Sequence, residues 1–295
     1  MTERHNTTDY DPITNEKPLI RRYEGSEMPY CLSIVDCRRS HQRAQGHLAT
    51  KILASSLLRN LPIADLHIVR VAPKQPLFRV GREGVHEEWM DESAVDLSNV
   101  VPQWLPSAFI DGSKYSWVFF IGDGSIALRD LDHLLKSEAD ILWAPLSGVS
   151  LRSTSCGGYV TEVEMQADRS EHPCTRPWME GASSAVWAVR GQHYGSIMAE
   201  WNRIAGNEPL RACSNRIESA WNRVLMDTEL VVTRFERGEI AFPALSGVTY
   251  EDWHESALLN VGQLDSEIRN KFLQSQFFGT YLGDQSGLFF TLLDQ

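Results

Sequence analysis

The sequence predicts an α/β fold in which a mostly parallel sheet is flanked by helices within a single domain. Short apolar runs typical of buried strands recur along the chain, and segments with helical periodicity separate them. The first strand–helix–strand unit has a connection long enough for parallel pairing. Residues 1–28 are polar and aperiodic, so we predict a flexible leader there and one domain over residues 29–295.

The first predicted unit begins with residues 31–36 (CLSIVD), an apolar run that ends in Asp36. Residues 44–59 carry leucine and isoleucine at helical spacing and predict a helix. That helix should end before Pro62, because the residue before a proline avoids the helical region. Residues 66–71 (LHIVRV) then predict a second buried strand.

The middle of the chain contains the most apolar predicted strand, residues 116–121 (SWVFFI). A turn at residues 122–125 (GDGS) follows, and Leu131, Leu134 and Leu135 predict the apolar face of a helix after it. Residues 74–107 are charged and interrupted by prolines, so we expect loops with one short helix there.

The second half of the chain continues the alternation of strands and helices. Residues 140–144, 185–190 and 230–235 predict strands. Residues 192–204 and 216–226 each place apolar side chains on one stripe and predict amphipathic helices. This alternation favours the mostly parallel sheet.

Charge and hydropathy exclude several classes of protein. The formal net charge of −11 argues against a broad surface for nucleic acid. The longest apolar runs are too short to cross a bilayer, and the N-terminus has no apolar signal-peptide core. The five cysteines are scattered, without the paired spacing of a metal site. We therefore expect a cytoplasmic protein with reduced thiols.

Residues 114–131 (KYSWVFFIGDGSIALRDL) resemble a segment of the nucleotide-diphospho-sugar transferases with the A-type glycosyltransferase fold. The likeness is greatest to the retaining enzymes related to glycogenin and the bacterial galactosyltransferases. Their pattern is a Lys/Arg-Tyr pair, an apolar strand, a Leu-Asp-x-Asp-Thr turn and an apolar-Arg-Asp-Leu segment. Further segments resemble the family in order: residues 31–36, 55–60 (SSLLRN), 181–190 (GASSAVWAVR) and 218–225 (ESAWNRVL).

The resemblance implies a domain that binds a nucleotide diphospho-sugar donor and transfers the sugar to an acceptor, which the sequence does not identify. In the family, the two aspartates of the Asp-x-Asp turn serve a Mn²⁺ or Mg²⁺ ion. Gly122 and Gly124 occupy those positions here, and only Asp123 between them is acidic. A late histidine ligand of the relatives aligns with Asn260. We therefore expect the usual divalent-metal site to be absent, with Asp123 as the remaining candidate metal ligand.

The resemblance also implies donor-binding residues. Asp36 ends the first strand, where relatives contact the base or ribose, although a strand-end turn residue is the alternative. Lys114 and Arg129 flank the strand–turn unit and are candidates to bind the diphosphate, although such residues are commonly solvated surface charges. Asp123 is a candidate metal or ribose ligand, or an ordinary turn aspartate between glycines.

Two carboxylates are candidate catalytic residues. Glu218 occupies a position near the acidic cluster that faces the anomeric carbon in the retaining relatives, where a carboxylate could stabilise an oxocarbenium-like centre or act as nucleophile. Its alternative role is that of a helix-capping pair with Asn215. Glu180 is a candidate carboxylate on the acceptor side.

Three interpretations of the altered metal positions stay open. The protein could be a metal-independent enzyme, with basic side chains such as Lys114 or Arg129 stabilising the leaving diphosphate. Asp123 could bind a metal in an altered geometry. The domain could also bind a sugar nucleotide or a glycan without transferring it. A nucleotidyltransferase is less favoured, because no basic Gly-rich signature follows the first strand.

Overall fold

The computed structural model of the chain describes residues 29–37, 43–72, 84–122, 124–150, 180–207, 210, 216–236, 238–242 and 256–260. For residues 43–49, 51–52, 146–150 and 180 the description covers the backbone alone. The α-helices are α1 (Arg43–Asn60), α2 (Gly191–Ala205) and α3 (Arg216–Asp227). Single 3₁₀ segments lie at Glu92–Ala94, Pro102–Ala108, Gly112–Lys114 and Asp132–Leu135.

The central element is a seven-stranded sheet. Its strands are β1 (Tyr30–Cys37), β2 (Ala64–Ala72), β3 (Val85–Asp91), β4 (Trp117–Ile121), β6 (Ile141–Ser150), β7 (Glu180–Arg190) and β8 (Val232–Arg234). They lie in the order β3-β2-β1-β4-β7-β6-β8. Only β7 runs against its neighbours, β4 and β6; the other pairings are parallel. The predicted class, an α/β fold with a mostly parallel sheet flanked by helices, is confirmed.

Helices cover both faces of the sheet because its central strands are apolar on both sides. Leu32 and Ile34 of β1 belong to the core that contains Leu53 and Leu57 of α1. Their neighbour Val35 belongs to a second core, built with α2 and α3. Alternate residues of a strand point to opposite faces, so α1 lies on one face and α2 and α3 on the other.

An aromatic cluster fixes α2 and α3 against the sheet. Trp187 of β7 stacks on Phe120 of β4 with 5.1 Å between ring centroids. On its other side it contacts Trp201 of α2 at 5.7 Å and Trp221 of α3 at 5.2 Å. All three tryptophans are fully buried. Because aromatic rings bury large areas, this cluster sets the position of α3 relative to β7.

The helix predicted after the GDGS turn is wrong. A short strand, β5 (Ser125–Ala127), follows the turn and pairs in a three-stranded sheet with β10 (Leu258–Asn260), which also pairs with β9 (Ile240–Ala241). The predicted apolar face, including Leu134, is buried by the single 3₁₀ turn Asp132–Leu135. One 3₁₀ turn therefore suffices to bury the three leucines whose spacing predicted a helix.

The loops predicted over residues 74–107 include a strand, β3, in addition to 3₁₀ segments. This strand (VHEEWMD) lies at the edge of the sheet and pairs only with β2 among the described strands. Edge strands tolerate charged residues, which also discourage pairing with other chains. Strand β3 could not be predicted from the sequence because it contains no apolar run.

Candidate functional site

The order of the strands reverses between β1 and β4. From β1 the chain continues to β2 and β3 on one side, and β4 then lies on the other side of β1. In open α/β sheets, ligands bind in the crevice outside the carboxyl ends of the strands at such a reversal. Here β1 ends at Cys37 and β4 at Ile121. We call this rim of the sheet, which includes Asp36 at the end of β1 and Gly122 after β4, the carboxyl edge.

Strand β7 contributes its first residues to the carboxyl edge because it runs in the opposite direction. Ile121 pairs with Val186, and the N–H of Gly122 donates to the carbonyl of Ala185 at 2.6 Å. Residues 180–185 therefore lie beyond the end of β4. Glu180 is the first of them; its backbone is at this edge, and its side chain lies outside the described part of the chain.

Asp36 lies at the carboxyl edge but is held by buried partners. Its carboxylate accepts a hydrogen bond from Thr50 Oγ1 of α1 at 3.0 Å and lies 3.5 Å from Arg70 Nη1 of β2. Arg70 also contacts Glu87 of β3, with Nε 3.1 Å from the carboxylate. Asp36 is 3% exposed and Arg70 is 2% exposed. The predicted donor-binding aspartate is therefore part of a buried ion-pair network on the α1 face.

The turn after β4 contacts the segment near residue 260. Gly124 has a φ of 82°, a conformation that favours glycine. Asn260 of β10 pairs with Ser125 of β5, and its Nδ2 donates to Ser125 Oγ at 2.7 Å. Both side chains are buried. Two segments that are 135 residues apart in sequence thus meet beside the turn. Asp123 lies outside the described residues.

The described residues of this turn offer no carboxylate to a divalent cation. Gly122 and Gly124 supply no side-chain oxygen, and the amide nitrogen of Asn260 is directed at Ser125. Mg²⁺ and Mn²⁺ prefer carboxylate and other oxygen ligands. Within the described stretches, no three side chains of His, Cys, Asp or Glu are grouped as metal ligands. The described part of the turn therefore lacks the donor set that the family's metal site requires.

Glu218 approaches the carboxyl edge from the opposite face. It lies in the first turn of α3, and its Oε1 accepts a hydrogen bond from the N–H of Ser184 at 3.4 Å. Burial raises the pKa of the Glu218 carboxyl from its usual 4.5 to about 7, and the hydrogen bond from Ser184 opposes this only in part. This candidate catalytic residue thus retains its proton up to near-neutral pH.

Asn222 and Gln103 contact the same part of β7. The pairing of β6 with β7 shifts register on either side of Pro145, so the ladder is irregular there. Asn222 of α3 accepts from the N–H of Ala182 at 2.8 Å and donates to its carbonyl at 3.1 Å. Gln103 Nε2 donates to the carbonyl of Ser184 at 3.5 Å. Side chains thus satisfy backbone groups that a regular ladder would pair.

The two predicted phosphate-binding residues lie away from the carboxyl edge. Lys114 precedes β4, at the opposite end of the sheet, and its exposed ammonium is 3.9 Å from Asp111. Arg129 follows β5; its Nε donates to the carbonyl of Ser256 at 3.4 Å and its Nη2 lies 3.8 Å from Glu239. The structure does not bring either residue together with Asp36 or Glu218.

Sequence analysis missed Arg70, Thr50 and Gln103. A signal existed for Arg70, because in the run LHIVRV it alternates with Leu66 and Ile68 and must face the same side of the strand. An arginine on a buried face requires an acidic partner. Gln103 gave no signal, since it lies in a 3₁₀ segment without clear periodicity.

The sequence matches no protein-family model and has no significant match among curated proteins. None of the described helices is both long enough and apolar enough to cross a bilayer.

Proposed function

We propose that the chain is an A-type glycosyltransferase-like protein that binds a nucleotide diphospho-sugar at the carboxyl edge and transfers the sugar to an acceptor hydroxyl. In this proposal the protein acts without the divalent-metal site that is usual in the family it resembles. The acceptor oxygen would attack the anomeric carbon while the bond from that carbon to the diphosphate oxygen breaks. The nucleoside diphosphate leaves with the bonding electrons and takes up the proton that the acceptor hydroxyl loses.

The observation that carries the proposal is the hydrogen bond between Asn260 and Ser125. The resemblance aligns Asn260 with the late metal-ligating histidine of the relatives and Gly122–Gly124 with their Asp-x-Asp turn. Those two positions must meet if the fold is of the A type. Ser125 directly follows Gly124, so its contact with Asn260 supports the proposal.

Two further features support a ligand site at this edge. The strand order reverses between β1 and β4, and α/β proteins commonly bind nucleotides at the carboxyl edge of such a reversal. Glu218 and the first residues of β7 reach the same edge, so an acidic side chain lies near the end of β4. Buried carboxyls with raised pKa values are frequent at functional sites.

A non-catalytic domain that binds a sugar nucleotide or a glycan is the second candidate. It is favoured by the state of the two candidate acidic residues: Asp36 is paired with Arg70, and burial raises the pKa of Glu218 to about 7. Neither is an ionised, accessible carboxylate that could act as a nucleophile. Release of nucleoside diphosphate in the presence of acceptor sugars would distinguish transfer from binding alone.

The test of binding is a thermal-shift panel of UDP-, GDP-, ADP- and CMP-sugars, each with EDTA and with Mn²⁺. A ligand present at a hundred times its dissociation constant stabilises the native state by about 2.7 kcal/mol. We expect one donor class to raise Tm equally in both buffers. A shift that requires Mn²⁺ would contradict the metal-free part of the proposal, and no shift with any donor would contradict sugar-nucleotide binding itself.

A further inference from the structure

The N–H and C=O of Ser184 point away from β4. The carbonyl of the next residue, Ala185, accepts from Gly122 beyond β4, and neighbouring residues of a strand direct their backbone groups to opposite sides. Ser184 therefore faces β6, where the pairing is irregular around Pro145. Glu218 accepts from the N–H of Ser184, and the carbonyl of Ser184 accepts from Gln103 Nε2 at 3.5 Å and from Trp187 Nε1 at 3.2 Å.

Gln103 has a hydrogen-bond acceptor without a donor in the described part of the chain, and Glu218 has a proton to donate. Gln103 Oε1 is buried and accepts no hydrogen bond from the described residues. The Glu218 carboxyl is buried, and no salt bridge reaches it within the described stretches. A buried amide oxygen needs a donor, and a buried carboxyl without a cation keeps its proton and so has one to donate.

We propose that Gln103 is a positioning residue: its Oε1 accepts the carboxyl proton of Glu218, and the two side chains together close the open side of β7 at Ser184. Each side chain then makes one bond to the backbone and one to the other. If the proposed function holds, on which this consequence rests, Glu218 meets the sugar as a neutral acid and not as a nucleophilic carboxylate.

The charged groups around Glu218 contact other partners, although Arg216 Nη1 is buried with no hydrogen-bond partner among the described residues. The 3₁₀ segment that carries Gln103 (PQWLPSA) contains no charged residue. In the described parts of α2, α3 and β7 the charged side chains contact other partners: Arg216 the carbonyls of Leu97 and Val100, Arg223 the carboxylate of Asp227, Glu200 the guanidinium of Arg203, His193 the carboxylate of Asp140, and Arg190 the carbonyls of Ser137 and Ala139. Burial is accordingly the main cause of the raised Glu218 pKa.

The first test is the pKa of Glu218, measured by the ¹³C shift of its carboxyl during a pH titration. Gln103→Met keeps the length of the side chain but removes the acceptor. A hydrogen bond from the protonated form raises a pKa, so its loss should lower the Glu218 pKa by about one unit. Gln192→Met, an exposed glutamine of α2, is the matched control and should leave it unchanged. An unchanged or raised pKa in Gln103→Met would overturn the proposal.

The second test is a double-mutant cycle between Gln103→Met and Glu218→Met, measured by urea unfolding at pH 5.5 and pH 8.5. The cycle isolates the interaction of the two side chains even when each variant is destabilised. At pH 5.5 we expect a favourable coupling of about tenfold in the folding equilibrium constant, typical of one hydrogen bond. At pH 8.5 the ionised carboxylate and Oε1 are both acceptors, so the coupling should vanish or change sign. Favourable coupling at both pH values, or at neither, would contradict the proposal.

Neither test uses a ligand. A failure of sugar-nucleotide binding would therefore overturn the proposed function while leaving the Gln103–Glu218 pair to be judged by its own measurements. Conversely, if a donor binds and Gln103→Met leaves the Glu218 pKa unchanged, the proposed function is supported and the Gln103–Glu218 hydrogen bond is refuted.

Discussion

Two buried ionisable residues affect the pH dependence of stability in opposite directions. His67 of β2 stacks on His86 of β3 with 4.5 Å between ring centroids, and its Nε2 lies 3.4 Å from Tyr115 Oη. Tyr115 in turn donates to Asp65 at 3.0 Å. Burial, followed by the neighbouring His86, lowers the pKa of His67 from 6.5 to about 4. Burial of Glu218 raises its pKa from 4.5 to about 7.

The signs follow from which state binds more protons. Between pH 4 and 6.5 the unfolded chain protonates His67 while the native state does not, so the contribution of His67 is present above pH 6.5 and is lost as the pH falls to 4. Between pH 4.5 and 7 the native state retains the Glu218 proton, so its contribution is present below pH 4.5 and is lost as the pH rises to 7. Each contribution is about 3 kcal/mol at about 1.4 kcal/mol per pKa unit.

We predict that the two contributions cancel between pH 4.5 and 6.5 and that single variants separate them. Relative to wild type, the free energy of unfolding of Glu218→Gln should rise with pH across this window, and that of His67→Gln should fall. Urea unfolding at pH 4.5, 5.5 and 6.5 measures both slopes. Parallel curves for wild type and both variants would contradict the assigned protonation states.

Asp36 and Glu218 are candidate site residues from the sequence, but the buried partners that surround them could not be predicted from it. The end of an apolar run placed Asp36 at the carboxyl edge, and the resemblance selected Glu218. The contacts with Thr50, Arg70 and Gln103 depend on which strands and helices become neighbours. Such tertiary contacts leave no local pattern, so the ionisation of a site residue could not be predicted from its own segment.

Among secondary-structure elements, the start of α2 is closely packed: of the described glycines, Gly191 leaves the least room for a Cβ atom. A Cβ on Gly191 would lie 2.1 Å from the carbonyl oxygens of both Gly112 and Tyr115. These are backbone atoms on a segment that precedes β4, so they cannot move aside without displacing the strand. The helix begins immediately after β7, and glycine allows this close approach.

We predict that Gly191→Ala destabilises the protein by about 3 kcal/mol or more, because overpacking against backbone is poorly relieved. Gly195→Ala, one turn further along α2, is the matched control, since nothing lies within 4 Å of its Cβ position. The control should be neutral or stabilise the protein by up to about 1 kcal/mol, as alanine favours a helix over glycine. Chemical denaturation measures both, and equal stability of the two variants would refute the packing argument.

Most of the long elements could be predicted because their periodicity is local. The strands at residues 31–36 and 116–121 and the helix at 192–204 differ by only one or two residues from their bounds in the structure. The elements that were missed have no such signal. Strand β3 is charged because it lies at an edge, and β5 has three residues, too few to show a period.

At the scale of the whole molecule, alternation of strands and helices predicted the α/β class correctly. It did not predict that β7 runs antiparallel between β4 and β6, because an apolar run carries no information on direction. Nor did it predict a separate small sheet, which requires residues near 125, 240 and 260 to meet. Asn260 contacts Ser125 across this small sheet, whereas the shared metal and donor site implied by the resemblance stays a prediction.

We propose that a nucleotide diphospho-sugar binds at the carboxyl edge. Amide hydrogen exchange of the wild-type protein, with and without the donor that raises Tm most, tests it directly. We predict that the donor slows exchange at residues 35–37, 122–125 and 182–185 in EDTA. The corresponding nucleoside monophosphate is the control and should slow exchange there to a smaller extent. Slower exchange confined to the opposite end of the sheet, at residues 64–65 and 111–116, or no change with any donor, would contradict the claim.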